Sequence, residues 1–165
     1  MYYDQKESNI RFEWGLSGLK ALAPASDVLI IVDVLSFTTC VDIVVGNGGY
    51  VFPYAGPAEA LPAYAKSVGA LIASRRRQQD AAYSLAPSSL VSIPEGTRLV
   101  LPSPNGSTLS YATAGIPTLA GCFRNARAVA AKACQLGKRV SVIAAGERWQ
   151  DGLLRPALED LLGAG

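Results

Sequence analysis

The chain has 165 residues, half of them apolar and 17% charged, with a formal net charge of +2. That length suits one domain burying roughly 70% of its unfolded surface, and the composition excludes an intrinsically disordered chain. The one basic cluster, Arg75-Arg76-Arg77, is too small for a nucleic-acid-binding face and reads as solvated surface.

Other classes fall away as quickly. Histidine does not occur, which removes His-based triads, His metal ligands and phosphohistidine chemistry. No apolar run reaches the ~18 residues of a membrane helix, and "MYYDQKESNIRF" lacks a signal-peptide core. Cys40, Cys122 and Cys134 show no C-x-x-C spacing, so they read as small core residues of a reduced, cytoplasmic protein.

In chain order, "NIRFEWG" (9–15) is a weak strand signal, and "DVLIIVDVL" (27–35) is a buried strand by its β-branched content. "FTTCVDIVVGNGG" reads as a helix with a Gly/Asn stop, and "YVFPY" (50–54) as an edge strand because of Pro53. "GPAEALPAYAKSVG" follows as a helix and "ALIAS" (70–74) as a strand. Residues 75–96 form a long polar connection, suited to a lid or a dimer contact. The alternation resumes with strands in "TRLVLPS", "IPTLAGC" and "KRVSVIAAG" and helices in "NGSTLSYATAG" and "NARAVAAKACQLG". A last helix is expected over "LLRPALEDLLGAG". The pattern predicts one α/β domain over 1–165, a largely parallel or mixed sheet with helices on both faces. The apolar helix at the end points to a chain cut from something longer.

Ligands of open α/β sheets bind outside the carboxyl ends of the strands. Those ends carry Asp33 with "SFTT" (36–39), "SPNGS" (103–107), "RN" (124–125) and "GE" (146–147). The clustering fits a phosphate or another oxyanion. Helix N-termini present unpaired N–H groups, Gly106 permits close backbone approach, and Ser107, Thr108, Thr38 and Thr39 offer hydroxyls. Asp33, with Glu159 or Asp160, offers the hard oxygen donors that Mg²⁺ prefers. Bland readings compete. Asn105-Gly106 is a common turn pair, Ser103, Asn105 and Asn125 are adequate N-caps, and Asp42 fits either a structural carboxylate or a metal ligand. Asp33 stands out, because a carboxylate following "VLIIV" has a desolvation cost unless it is paired or metal-bound.

Together these residues resemble the 2-phosphosulfolactate phosphatase family, Mg²⁺-dependent phosphatases, from about residue 27 to the end. "DVLSFTT" is similar to that family's Asp-[Val/Ile]-Leu-Arg-Ala-[Ser/Thr]-Thr, and "SPNGS" to Thr-Thr-Asn-Gly-Thr. "FRNARAVA" and "AAGERWQDGLLRPALEDLLGAG" are similar to its Asn-Ala-x-x-Val-Ala and Ala-Gly…Glu-Asp…Ala-Gly segments. The resemblance implies a three-layer α/β/α fold and hydrolysis of a small anionic phosphate ester. It assigns catalytic positions to Asp33, Asn105 and Asn125, phosphate contacts to Thr38, Thr39, Gly106 and Ser107, and Mg²⁺ to Asp33, Glu159 and Asp160. A homodimer is compatible with it, and a longer native C-terminus is implied.

Three polar positions depart from the family pattern. Its arginine after Asp-Val-Leu is Ser36 here, its Gly-Glu-Arg reads Ala73-Ser74-Arg75, and its Gly-Asn-Ser-Pro reads Ala86-Pro87-Ser88-Ser89. A lost arginine removes a bidentate oxyanion clamp. The alternative reading is therefore a catalytically inactive member, an anion-binding or interaction module.

Overall fold

Continuous β-branched runs and short helical segments alternate along a computed structural model that describes residues 4–74 and 82–165. In chain order they are β1 (Ile10–Trp14), α1 (Gly15–Leu22), β2 (Val28–Val32), α2 (Phe37–Gly46), β3 (Tyr50–Pro53) and α3 (Leu61–Ser67). Then come β4 (Leu71–Ile72), β5 (Arg98–Leu101), α4 (Gly106–Tyr111), β6 (Thr118–Gly121) and α5 (Ala126–Leu136). The chain closes with β7 (Val140–Ala144), β8 (Glu147–Arg148), β9 (Leu154–Arg155) and α6 (Leu158–Ala164).

The strands form two parallel sheets where the sequence suggested one, and the α/β class with flanking helices holds. The first sheet runs β1-β7-β2-β6, with Val28 of β2 opposite Val140 of β7 and Leu29 opposite Thr118 of β6. Successive strand side chains point to opposite faces, so β2 supplies two cores. Leu29 and Ile31 pack with Ile143 beneath α1 and α4, against Leu19, Leu22 and Leu109. Val28, Ile30 and Val32 face α5 and α6, with Val140, Val142 and Ala133. Burying a side chain such as Ile31 contributes about 1.5–3 kcal/mol.

The second sheet is β3-β5-β4, with β3 at its edge as Pro53 requires. Its two faces are covered by α2, through Phe37, Cys40 and Val44 on Leu99 and Leu101, and by α3, through Ala65 on Val100. α2 therefore joins the sheets. It leaves β2 of the first and covers the second.

Several expectations need correction. The N-terminal strand is present and is followed by α1, a helix that its two glycines hid from pattern reading. The last helix begins at Leu158 rather than 153, because the residue before Pro156 is pushed to extended backbone and Leu154–Arg155 pair with Glu147–Arg148 as a hairpin. The described part of the 75–96 connection carries Leu85, Leu90 and Ile93 into the core beneath α2; Arg75-Arg76-Arg77 lie outside the described residues. Cys40 and Cys122 are buried as expected, whereas Cys134 is exposed. Among the described residues no helix is long and apolar enough to cross a membrane.

Candidate active site

Asp33 follows β2 directly and is 6% exposed. Its Oδ1 accepts the N–H of Phe37 at the start of α2 (3.2 Å), and its Oδ2 accepts the N–H of Gly106 at the start of α4 (2.9 Å). Ser103 Oγ stands 3.5 Å from Oδ2 and itself accepts the Gly106 N–H at 3.2 Å. One carboxylate thus caps two helices, the arrangement that helix N-termini favour for an anion. The N–H group that "SPNGS" offers at the start of α4 is taken by the protein's own carboxylate.

The hydroxyls meant for phosphate are committed elsewhere. Thr38 Oγ1 donates to the Asp33 carbonyl at 2.8 Å and accepts the Asp33 N–H. Thr39 Oγ1 donates to the Val34 carbonyl at 2.7 Å. Ser107 is fully buried and donates to the Leu101 carbonyl at 2.7 Å. Gly106 makes its close approach to Phe37, where an added Cβ would overlap the ring, and not to an open cavity. These four residues shape the loops around Asp33.

Asp160 holds the next pair of loops. It is 3% exposed, its Oδ1 accepts the Val34 N–H at 2.8 Å, and its Oδ2 accepts the Gly146 N–H at 2.9 Å. Glu159 beside it is half-buried, since neighbours on a helix face different directions. Glu147, at the start of β8, accepts a hydrogen bond from Asn105 Nδ2 at 3.2 Å. Asn105 therefore turns toward Glu147 and leaves the capping of α4 to Asp33 and Ser103. Glu147 was visible in the sequence only as part of "GE".

The electrostatics follow from this crowding. Burial first, then the charges of Asp160 and Glu147, push Asp33 up to about 6, against the opposing N–H bonds from Phe37 and Gly106. Burial, Glu159 and Glu147 likewise raise Asp160. Among the described residues no lysine or arginine pairs with Asp33, Asp160 or Glu147.

Asn125 does not join them. Its Oδ1 accepts the Cys122 N–H at 2.9 Å and its Nδ2 donates to the Ala120 carbonyl at 3.0 Å. Nearby, Asp42 pairs with Arg124 at 2.8 Å, away from Asp33 and Asp160 in its bonding. Asn125→Ala is expected to lower stability by about 1–2 kcal/mol by leaving the Cys122 N–H unpaired, read by urea denaturation. A fall in kcat with stability intact would return Asn125 to the site.

Two clefts open beside this cluster. The smaller, about 280 Å³, is lined by Asn105, Thr108, Glu147 and Arg148 among others. The larger, about 700 Å³, is lined by Tyr54, Ser74, Ser103, Thr108 and Arg148. Thr108 and Arg148 form the wall they share, and Asp33 lies behind Ser103 and Gly106. An apolar hollow of about 680 Å³ under α5 and α6 carries none of these groups.

No curated protein matches the chain's sequence. A family model described as 2-phosphosulpholactate phosphatase matches residues 19–165. The chain belongs to that family. The match runs from within α1 through α6, so the buried carboxylates and Arg148 all lie inside the part shared with the 2-phosphosulpholactate phosphatases.

Mg²⁺ is the ion that the resemblance attaches to this family, and the donor chemistry can be compared with its needs. Among the described residues no three Asp, Glu, His or Cys side chains gather closely enough to cage a metal. Mg²⁺ does not require that; one or two carboxylates with waters and phosphate oxygens hold it. Glu147 offers such an oxygen at the smaller cleft, and Asp33 and Asp160 are buried carboxylates whose oxygens each keep a lone pair beyond their bond to a backbone N–H.

Proposed function

We propose that this chain hydrolyses a small anionic phosphate ester in a Mg²⁺-dependent reaction. The observation that carries the reading is that Asp33, Asp160 and Glu147 lie within reach of one another's charge with no cationic partner among the described residues, Glu147 lining one of two adjoining clefts, in a chain of phosphatase ancestry. Asp33, with Glu147 or Asp160, would hold the ion. Bound there, it would neutralise phosphoryl charge and lower the pKa of a water. Asn105 orients Glu147, and its second Nδ2 hydrogen is a donor for a phosphoryl oxygen at the smaller cleft. Asp33 and Asp160 fix the loops that carry these groups, so the geometry is set before substrate arrives.

The second reading is a ligand-binding member without turnover. The committed hydroxyls of Thr38, Thr39 and Ser107 favour it, as does Ser36, which is buried and donates to the Leu85 carbonyl at 2.5 Å. Phosphate release from 2-phosphosulfolactate and from a panel of small phosphate esters, with Mg²⁺ and with chelator, separates the two. Chelator-sensitive release is the expected result. Thermal stabilisation by Mg²⁺ and phosphate without release would support the second reading.

A further inference from the structure

We propose that Arg148 determines specificity, by holding a second acidic group on the body of the substrate in the larger cleft. This rests on the phosphatase reading and assigns the end of the ester that does not react. Among the described residues Arg148 is the one charged residue lining that cleft, whose other polar walls are Tyr54, Ser74, Ser103 and Thr108. Glu147 and Asn105 line the smaller cleft, and Arg148 stands in the wall between the two. Of the two clefts, the larger therefore offers an acidic body the arginine without the glutamate.

The guanidinium is both available and held. Its Nη1 donates to the Gly152 carbonyl at 3.2 Å, and no carboxylate among the described residues pairs with it. An arginine has five N–H donors, so most remain for a carboxylate or sulfonate, the planar or forked oxyanions that arginine grips in bidentate fashion. The backbone beneath it is fixed by the pairing of Arg148 with Leu154, by the Trp149 N–H on the Leu153 carbonyl at 2.9 Å, and by Arg155 stacked 5.3 Å over the Trp149 ring. A volume near 700 Å³ lies in the range of small-molecule sites.

The experiment compares 2-phospholactate, which carries a carboxylate on its body, with glycerol 2-phosphate, which does not. Binding by thermal shift and phosphate release are both measured with Mg²⁺, on the full chain, on Arg148→Gln and on Arg148→Lys. Arg148→Gln is expected to weaken 2-phospholactate binding by about 10- to 100-fold, seen as a higher KM, with a much smaller loss for glycerol 2-phosphate. Arg148→Lys restores part of the difference. Equal losses for both esters would move Arg148 to the phosphoryl group and overturn the proposal. So would no loss for either, or failure of the unmodified protein to bind 2-phospholactate. Arg148-dependent binding without phosphate release refutes the hydrolase reading alone, and release that ignores Arg148 refutes this inference alone.

Discussion

In chelator, the unmodified protein is expected to lose stability more steeply than Asp33→Asn as the pH rises from about 4 to about 6. Asp33 has its pKa raised from 3.8 to about 6 by burial and by the charges of Asp160 and Glu147. A raised carboxyl binds its proton more tightly in the folded chain than in the unfolded one. Its contribution is complete below the unfolded pKa and is lost as the pH rises through the folded one. Two pH units correspond to about 3 kcal/mol. Asparagine does not titrate, but its amide NH₂ must face one of the two N–H groups that Asp33 accepts, Phe37 or Gly106, at about 1–3 kcal/mol. The two stability curves therefore separate near pH 4 and converge near pH 7. Asp160 titrates in the same direction in both proteins, so only the difference between the curves reports Asp33. Parallel urea midpoints across this range would show that Asp33 is not raised. Under the proposed reaction, the same variant also loses Mg²⁺-dependent turnover at pH 7 while remaining folded.

Gly106→Ala is expected to be among the most damaging single-methyl additions in the chain. An added Cβ would overlap Cδ1, Cγ and Cβ of Phe37, and Phe37 is 3% exposed and locked in the core with Leu101 and Cys40. Overpacking of this kind costs about 1–3 kcal/mol. Separating α4 from α2 also stretches the Gly106 bond to Asp33, adding about 1–3 kcal/mol. For a domain of this size the sum lowers Tm by about 10 °C. Phe37→Ala removes Cγ and Cδ1, so in the double variant the two losses should add to less than their sum. Gly46→Ala, with open space at its Cβ, is the control and should be neutral or slightly stabilising. A Gly106→Ala protein within about 1 kcal/mol of the unmodified one would mean that the two helix starts are not in contact as described.

The contrast between Asp33 and its neighbours shows how far a sequence can be read. Asp33 was legible because a carboxylate at the end of an apolar strand has few inexpensive places to go. The hydroxyls proved harder to read, for a physical reason. Thr38, Thr39, Thr108 and Ser110 each have a backbone carbonyl four or five residues back that their side chain reaches, and local bonds of this kind compete with any ligand. Residue type reveals a donor but not whether it is already engaged. Arg148 was missed for the opposite reason, because an arginine in a polar turn reads as solvated surface until the folding of distant strands sets a cleft beside it. The fold class came through because the period-two and helical patterns are local. The division into two sheets depends on where α2 packs, which no local pattern states.

The step from β7 to β8 is only two residues, Ala145 and Gly146, with Gly146 at φ +64°. With no room for a turn of its own, that step carries Glu147 and Arg148 straight from the end of β7 to the clefts, Glu147 into the smaller and Arg148 into the wall the two share. Two charges of opposite sign thus reach the same region on one short tether, and a residue added to it would displace both together.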